Sequence, residues 1–247
     1  MTRILSVDGI SVMFGGHIAV NKVSLQIPRG SVTGLIGPNG AGKTTLFNVV
    51  SGLLKPVKGS VYFDEKRITE LPPFKRARIG LGRTFQRLEL FNSLSVYDNI
   101  RVSVEIKMQW SGITTSSVFD ITEELERVIE ITGLDKVRNR MVSEIPTGQA
   151  RLVELARSLT LSPKLLLLDE PASGLNEEET NHLGSVIRKL PEAGISIFLV
   201  EHDMSLVMST CDLVHVLDFG SLIAQGTPEE IQEHEAVLEA YLGTDYS

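Results

Sequence analysis

The 247 residues carry 31 acidic against 24 basic side chains, a net charge of −7, with 42% hydrophobic and 22% charged residues. That balance excludes a nucleic-acid binder working through a broad basic surface, and the apolar content is enough to bury a core. A single cysteine, Cys211, excludes an internal disulfide and fits a reducing compartment.

At roughly 100–200 residues per domain, the length allows one large domain or two small ones. No apolar run approaches the ~18 residues of a membrane span. The start, MTRILSVDG, lacks the long apolar stretch of a secretory signal. Mean hydropathy is +0.09, slightly apolar, which hints at a partner surface.

In chain order, residues 4–14 and 19–27 read as strands separated by the Phe14-Gly15-Gly16 turn, and the second ends at Pro28-Arg29-Gly30. Val32–Ile36 is a third strand, 45–54 a helix, 55–59 a loop and 60–63 a short strand. Short turns between the first strands predict antiparallel pairing. Residues 95–104 read as a helix with Ser95 as a candidate cap. The stretch 105–120, which holds the only tryptophan, Trp110, has poor periodicity and reads as a loop or broken helix. Residues 123–132 form an amphipathic helix closed by Gly133.

The second half alternates. Helices are expected at 150–161, 177–190 and 204–208, with apolar strands at 165–168, 195–200 and 213–217. Gly220 marks a turn before 222–224, and 228–241 gives one or two helices before a frayed end. Uninterrupted apolar strands between helices predict a parallel sheet covered on both faces.

Three stretches carry chemistry. Gly37-Pro38-Asn39-Gly40-Ala41-Gly42-Lys43-Thr44 reads G-x-x-x-x-G-K-T between a strand and a helix, the context of a phosphate-binding loop. Glycines let the backbone close around phosphate, and the loop N–H groups and helix N-terminus supply positive potential. Lys43 is expected to reach the β- and γ-phosphates and the Thr44 hydroxyl to sit on Mg²⁺; Thr45 completes the candidate ATP contacts. Next, the apolar run 165–168 ends in Asp169-Glu170, placing two carboxylates at the carboxyl edge of the sheet beside that loop. Asp169 is expected to organise the Mg²⁺ shell and Glu170 to polarise the attacking water. Third, Ile145-Pro146-Thr147-Gly148-Gln149 stands just before the helix at 150–161.

With that third stretch the chain resembles the ATP-binding cassette (ABC) family. Phosphate loop, Gln86, a segment of the L-S-G-G-Q type, the Asp169-Glu170 strand end and His202 occur in the family's order, and the likeness spans essentially the whole chain. It implies a P-loop NTPase of α/β class with a RecA-like parallel-sheet core, an N-terminal antiparallel β subdomain and an inserted α-helical subdomain. The chain would be a single nucleotide-binding domain, with its core at about 1–86 and 159–228. The helical subdomain would fall at about 87–158 and a helical tail at about 229–247.

The resemblance also implies ATP sandwiched head to tail between two cassettes. The phosphate loop of one would face the signature of the other, here Pro146, Thr147, Gly148 and Gln149. It makes His202 the switch histidine at the γ-phosphate, Gln86 the hinge glutamine that senses Mg²⁺, and Phe14 the aromatic that stacks on adenine. The signature departs from the family pattern, because Pro146 replaces serine and Thr147 replaces glycine. Proline suits the first helical turn but brings neither hydroxyl nor N–H.

Several stretches look like the LivG-type ATPase subunit of branched-chain amino acid importers. These are Arg83-Thr84-Phe85-Gln86 with Leu90-Phe91, the proline-bearing signature, Ser173-Gly174-Leu175-Asn176, the run from Val200 to Met204, and Ala240-Tyr241-Leu242-Gly243. The likeness implies a peripheral motor at the cytoplasmic face of the membrane, beneath two integral membrane permease subunits. It would pair with a second ABC ATPase subunit, as a hetero- or homodimer, and be served indirectly by an extracytoplasmic solute-binding protein, with no nucleic acid involved. Urea, amide and lipopolysaccharide systems use close relatives. A soluble cassette acting on ribosomes or DNA is disfavoured by the single cassette, the absence of heptads and the charge. A scaffold subunit with little hydrolysis is kept open by the altered signature. Leu88, Leu90, Phe91, Leu94, Val96 and Tyr97 are divided between core and a groove for the permease.

Overall fold

The computed structural model describes residues 2–84, 88–111 and 121–242. The expectations for Gln86, for 112–120 and for the residues after 242 lie outside this range.

The apolar alternation of the first strands produces an antiparallel layer. β1 (Arg3–Phe14) and β2 (His17–Pro28) pair as a hairpin. β4 (Lys58–Phe63) and the two-residue β5 (Lys66–Arg67) extend the sheet in the order β2-β1-β4-β5. The second sheet has the order β10-β9-β3-β8-β7-β6. Its strands are β3 (Val32–Ile36), β6 (Leu81–Arg83), β7 (Leu165–Asp169), β8 (Ser196–Val200), β9 (Leu213–Asp218) and β10 (Ser221–Gly226). All are parallel except the β9–β10 hairpin. The expected two-faced burial of β7 is present residue by residue. Leu165 and Leu167 join the core between the two sheets, while Leu166 and Leu168 join the core under the helices. In β8, Phe198 and Val200 face the first core and Ile197 and Leu199 the second.

Helix α1 (Lys43–Ser51) runs between the sheets, burying Leu46, Phe47, Val49 and Val50; the Phe47 ring meets Phe198 at 5.5 Å between centroids. Its far end is closed by a cation. Arg76, on α2 (Pro73–Arg78), is 1% exposed and donates to the carbonyls of Val49, Val50, Thr69 and Leu71 at 2.6–2.9 Å. Burial lowers its pKa to about 10.

The other face of the parallel sheet carries α3 (Val96–Ser111), α4 (Ile121–Thr132), α5 (Thr147–Leu159), α6 (Glu177–Lys189) and α7 (Met204–Thr210). Two short helices follow, α8 (Pro228–Gln232) and α9 (Glu235–Leu242). Of the two readings of 105–120, loop or broken helix, the described part favours the helix, because α3 continues to Ser111. Lys107 explains the extension, since its Nζ donates to the Thr160 carbonyl at 2.9 Å and to Ser162 Oγ at 2.8 Å, tying the second half of α3 to the end of α5. Among the described residues, no helix is long and apolar enough to cross a membrane.

One side chain joins the two sheets. His215 on β9 is 1% exposed, and its Nε2–H donates to the Gln26 carbonyl on β2 at 3.1 Å. Burial holds its pKa below the ordinary value. The folded protein therefore binds this proton less readily than the unfolded chain. The stability gained by keeping the ring neutral is complete above the unfolded pKa of about 6.5 and is lost as the pH falls below it. We expect thermal melting between pH 7.5 and 5.5 to show a shallower acid-side decline in His215→Gln than in the parent chain; equal slopes would remove His215 from the pH response.

Candidate nucleotide site

Register brings the sequence motifs together. Val200, the last residue of β8, is paired with Leu35 on β3 and with Asp169 at the end of β7. Three strands thus end level, and the segments leaving them carry the glycine loop, Asp169-Glu170 and His202.

The glycine loop is shaped by close approaches that only glycine permits at two positions. A Cβ on Gly37, at φ +146°, would lie 2.0 Å from the Leu217 carbonyl oxygen. One on Gly42, at φ +98°, would lie 2.5 Å from that of Ala19. Gly220 N–H donates to the Ala41 carbonyl at 3.0 Å, so the β9–β10 turn braces the loop from outside. Pro38, Asn39 and Gly40 form its rim, partly to fully exposed. Gly42 caps α1 with backbone alone, and the first turn, Lys43-Thr44-Thr45, contains no acid. Its N–H groups are thus left to an anion from outside. The Lys43 ammonium folds back onto the carbonyls of Gly37 and Pro38 at 2.6 and 2.9 Å. Burial lowers its pKa while the charge of Glu170 acts in the opposite direction, so the loop cation and the strand-end carboxylate share one electrostatic neighbourhood. Thr44 is exposed and Thr45 half-buried.

At the acidic strand end, burial raises the Asp169 pKa, and Arg83 beside it offsets only part of the rise. Glu170 sits at φ +47° with its N–H bonded to the Val200 carbonyl at 2.9 Å. A non-glycine residue held there is strained, and such strain collects at functional sites. His202 lies on the neighbouring strand end with its side chain 62% exposed. Sequence reasoning gave no role to Glu201, yet it is fully buried and organises both segments. One carboxylate oxygen accepts from Ala172 N–H at 2.8 Å, the other from the N–H groups of His202 and Asp203 at 3.0 and 3.3 Å. A carboxylate at the end of an apolar strand was the available signal.

Phe14 is 51% exposed at the tip of the β1–β2 hairpin, which removes it from the core and leaves its ring open. The proline-bearing segment differs from expectation. Pro146 is the N-cap of α5, in extended geometry (φ −59°, ψ 158°), and helical residues begin at Thr147 rather than 150. Pro146 and Thr147 are exposed, Gly148 buried and Gln149 half-buried. The Gly148 N–H is already engaged, donating to Glu179 Oε1 at 3.2 Å. The other Glu179 oxygen accepts from Asn176 N–H at 3.1 Å, closing the capping box of α6. Of the apolar residues after position 87, Val96 is core, Leu90 and Tyr97 pack against it, and Leu88 and Phe91 are 36% and 47% exposed. A cleft of about 850 Å³ lined by residues including Arg3, Asp8, Gln26 and His215 contains none of the motif residues.

Residues 20–173 match the family model described as ABC transporter. The chain belongs to the ABC transporter family. Residues 221–247 match a second model, described as branched-chain amino acid ATP-binding cassette transporter. The chain is similar to the high-affinity branched-chain amino acid transport ATP-binding protein LivG of Salmonella typhimurium, 40% identical over 97% of this chain and 98% of the relative. It is likewise similar to its counterpart BraF of Pseudomonas aeruginosa, 39% identical over the same shares. Among solved structures it resembles the ADP conformation of an ATP-binding cassette of an ABC transporter. The TM-score there is 0.86 and the identity 30%, with 98% of this chain and 100% of that one covered. The cassette is an ATPase subunit, and its two-sheet α/β architecture is that of its structural neighbours.

Two substitutions probe the site directly. Lys43→Ala is expected to abolish nucleotide binding or hydrolysis, measured by nucleotide titration and phosphate release; normal turnover would remove the loop from the site. Phe14→Ala is expected to weaken ATP binding roughly tenfold, in line with the loss of about 1–3 kcal/mol of base stacking. Unchanged affinity would assign the exposed ring another partner.

Proposed function

We propose that this cassette is the ATP-hydrolysing motor of an importer for branched-chain amino acids, working at the cytoplasmic face of the membrane beneath two permease subunits. The end-to-end likeness to LivG, at 40% identity, carries this reading. The match of residues 221–247 to the branched-chain amino acid cassette model supports it. In this reading ATP is held by Gly37 to Thr45 with Phe14 on the base, and Glu170 and His202 orient the attacking water. Thr44, Asp169 and Gln86 would hold Mg²⁺. The Thr44 hydroxyl and Asp169 carboxylate suit that ion, which binds oxygen donors and takes most of its shell from phosphates and water. Bound Mg²⁺ would neutralise charge developing on the transferred phosphoryl group.

A second cassette would complete the site in trans through Pro146 to Gln149. Thr147 keeps its N–H for that purpose, whereas Gly148 would have to exchange the Glu179 carboxylate for phosphate. Leu88 and Phe91 offer an exposed apolar face for a permease helix, with Arg157 seated over the Phe91 ring at 5.3 Å. The division into a core of about 1–86 and 159–228, a helical subdomain of about 87–158 and a tail from about 229 is supported by α3, α4 and α5 each packing against the other two.

The test uses Glu170→Gln. Hydrolysis should fall by about 10²–10⁴-fold while ATP-driven association of two cassettes is retained. A tagged Glu170→Gln chain with ATP should then recover two multispanning proteins and a second cassette from native membranes. Undiminished hydrolysis would overturn the assignment of the base, and recovery of a soluble homodimer alone would overturn the transport reading.

A further inference from the structure

Arg83 is the last residue of the short edge strand β6, opposite Leu167 on β7. Its Nη2 donates to Asp169 Oδ2 at 2.8 Å, and the two side chains are 12% and 9% exposed. Its Nη1 donates to Asn48 Oδ1 at 2.8 Å and Ser51 Oγ at 2.7 Å, both on α1, and the guanidinium lies 5.0 Å from the centre of the Phe47 ring. The group is therefore fixed on several sides. It presents a full, permanent positive charge to the one carboxylate that the proposed metal shell takes from β7. In a weakly screened setting a charge at contact distance acts far more strongly than it would in water.

We propose that Arg83 is the resident counter-cation of Asp169, and that it makes metal binding conditional on nucleotide. This rests on the metal assignment under Proposed function. While the guanidinium holds Oδ2, the carboxylate presents little net negative charge to a free divalent ion, so the nucleotide-free protein binds metal weakly. Phosphates on the glycine loop add the missing negative charge, and the ion enters with them. The ion pair uses Oδ2, so Asp169 Oδ1 would be the oxygen offered to the incoming complex. Arg83 acts through Asp169 and is thus a positioning residue. Because β6 leads directly into the segment containing Gln86, the clamp also fastens that segment's root to both the phosphate-loop helix and the acidic strand end.

The experiment titrates Mn²⁺ alone into nucleotide-free protein, read by the electron paramagnetic resonance signal of the free ion. Arg83→Met should bind Mn²⁺ at least about tenfold more tightly than the parent chain. Adding Asp169→Asn should cancel the gain, and Arg83→Lys, which restores the charge, should return the parent's weak binding. Equal Mn²⁺ affinity in Arg83→Met and parent, or no rescue by lysine, overturns the proposal. Should Arg83→Met fail to fold, Asp169→Asn in the parent background decides. Unchanged weak Mn²⁺ binding supports a neutralised carboxylate, and a tenfold loss overturns it. The metal assignment itself is tested separately by Mg²⁺-dependent nucleotide affinity, which Asp169→Asn should abolish. If Mg²⁺ dependence persists there, the metal reading fails whatever Arg83 does.

Discussion

Parallel pairing of β3, β8 and β7 is the constraint on which the rest depends. Because Val200 is paired on one side with Leu35 and on the other with Asp169, the three strands finish at one level. The loops leaving them must share one edge. A slip of one residue in either ladder would shift the carboxylates at the end of β7 relative to the glycine loop. Both faces of these strands lie in apolar layers, so it is the polar residues at the strand ends, Asp169 and the buried Glu201, that mark the register. Hydrophobic packing, which is not directional, becomes directional here through the alternation of side chains along the strands.

Several polar groups around that edge are shared between elements. Glu201 satisfies three backbone N–H groups from two segments with one carboxylate. Arg83 binds one strand end and one helix together. Glu179 serves both α6, which it caps, and the first turn of α5. A buried charge is tolerated only when its partners are in place. Glu201 and Arg83, the buried members of this set, therefore hold the elements they join at fixed separation, and movement at the edge has to exchange their partners rather than loosen them.

How much of this was legible in the sequence depended on range along the chain. Lys43 and the glycines of the loop act within eight residues, and Asp169-Glu170 close a run of leucines, so both motifs could be read locally. The parallel sheet followed from apolar runs too even to be half-exposed. The ion pair between Arg83 and Asp169 spans 86 positions, and the bond from Gly148 to Glu179 spans 31; no periodicity predicts such partners. β6 was missed because three residues that include a glycine give almost no strand signal. Loop and broken helix could not be told apart over 105–120, because Lys107 is anchored across space rather than by a local pattern. Proline before the signature helix suggested a first-turn residue, yet its extended ψ makes it the boundary itself.

Arg76 has a consequence for how the nucleotide can come and go. Helix α1 begins with bare N–H groups at the glycine loop and ends with carbonyls bound to a buried guanidinium. The positive charge at the negative pole of the helix dipole is built in, whereas under the proposed function the negative charge at the positive pole would come from the ligand. One pole is thus always loaded. An empty loop leaves α1 half-compensated instead of bare, and release of phosphate costs the helix one terminal partner rather than its seat between the sheets. On the proposed function, turnover would then be confined to the rim of the loop, with the helix behind it as a fixed abutment.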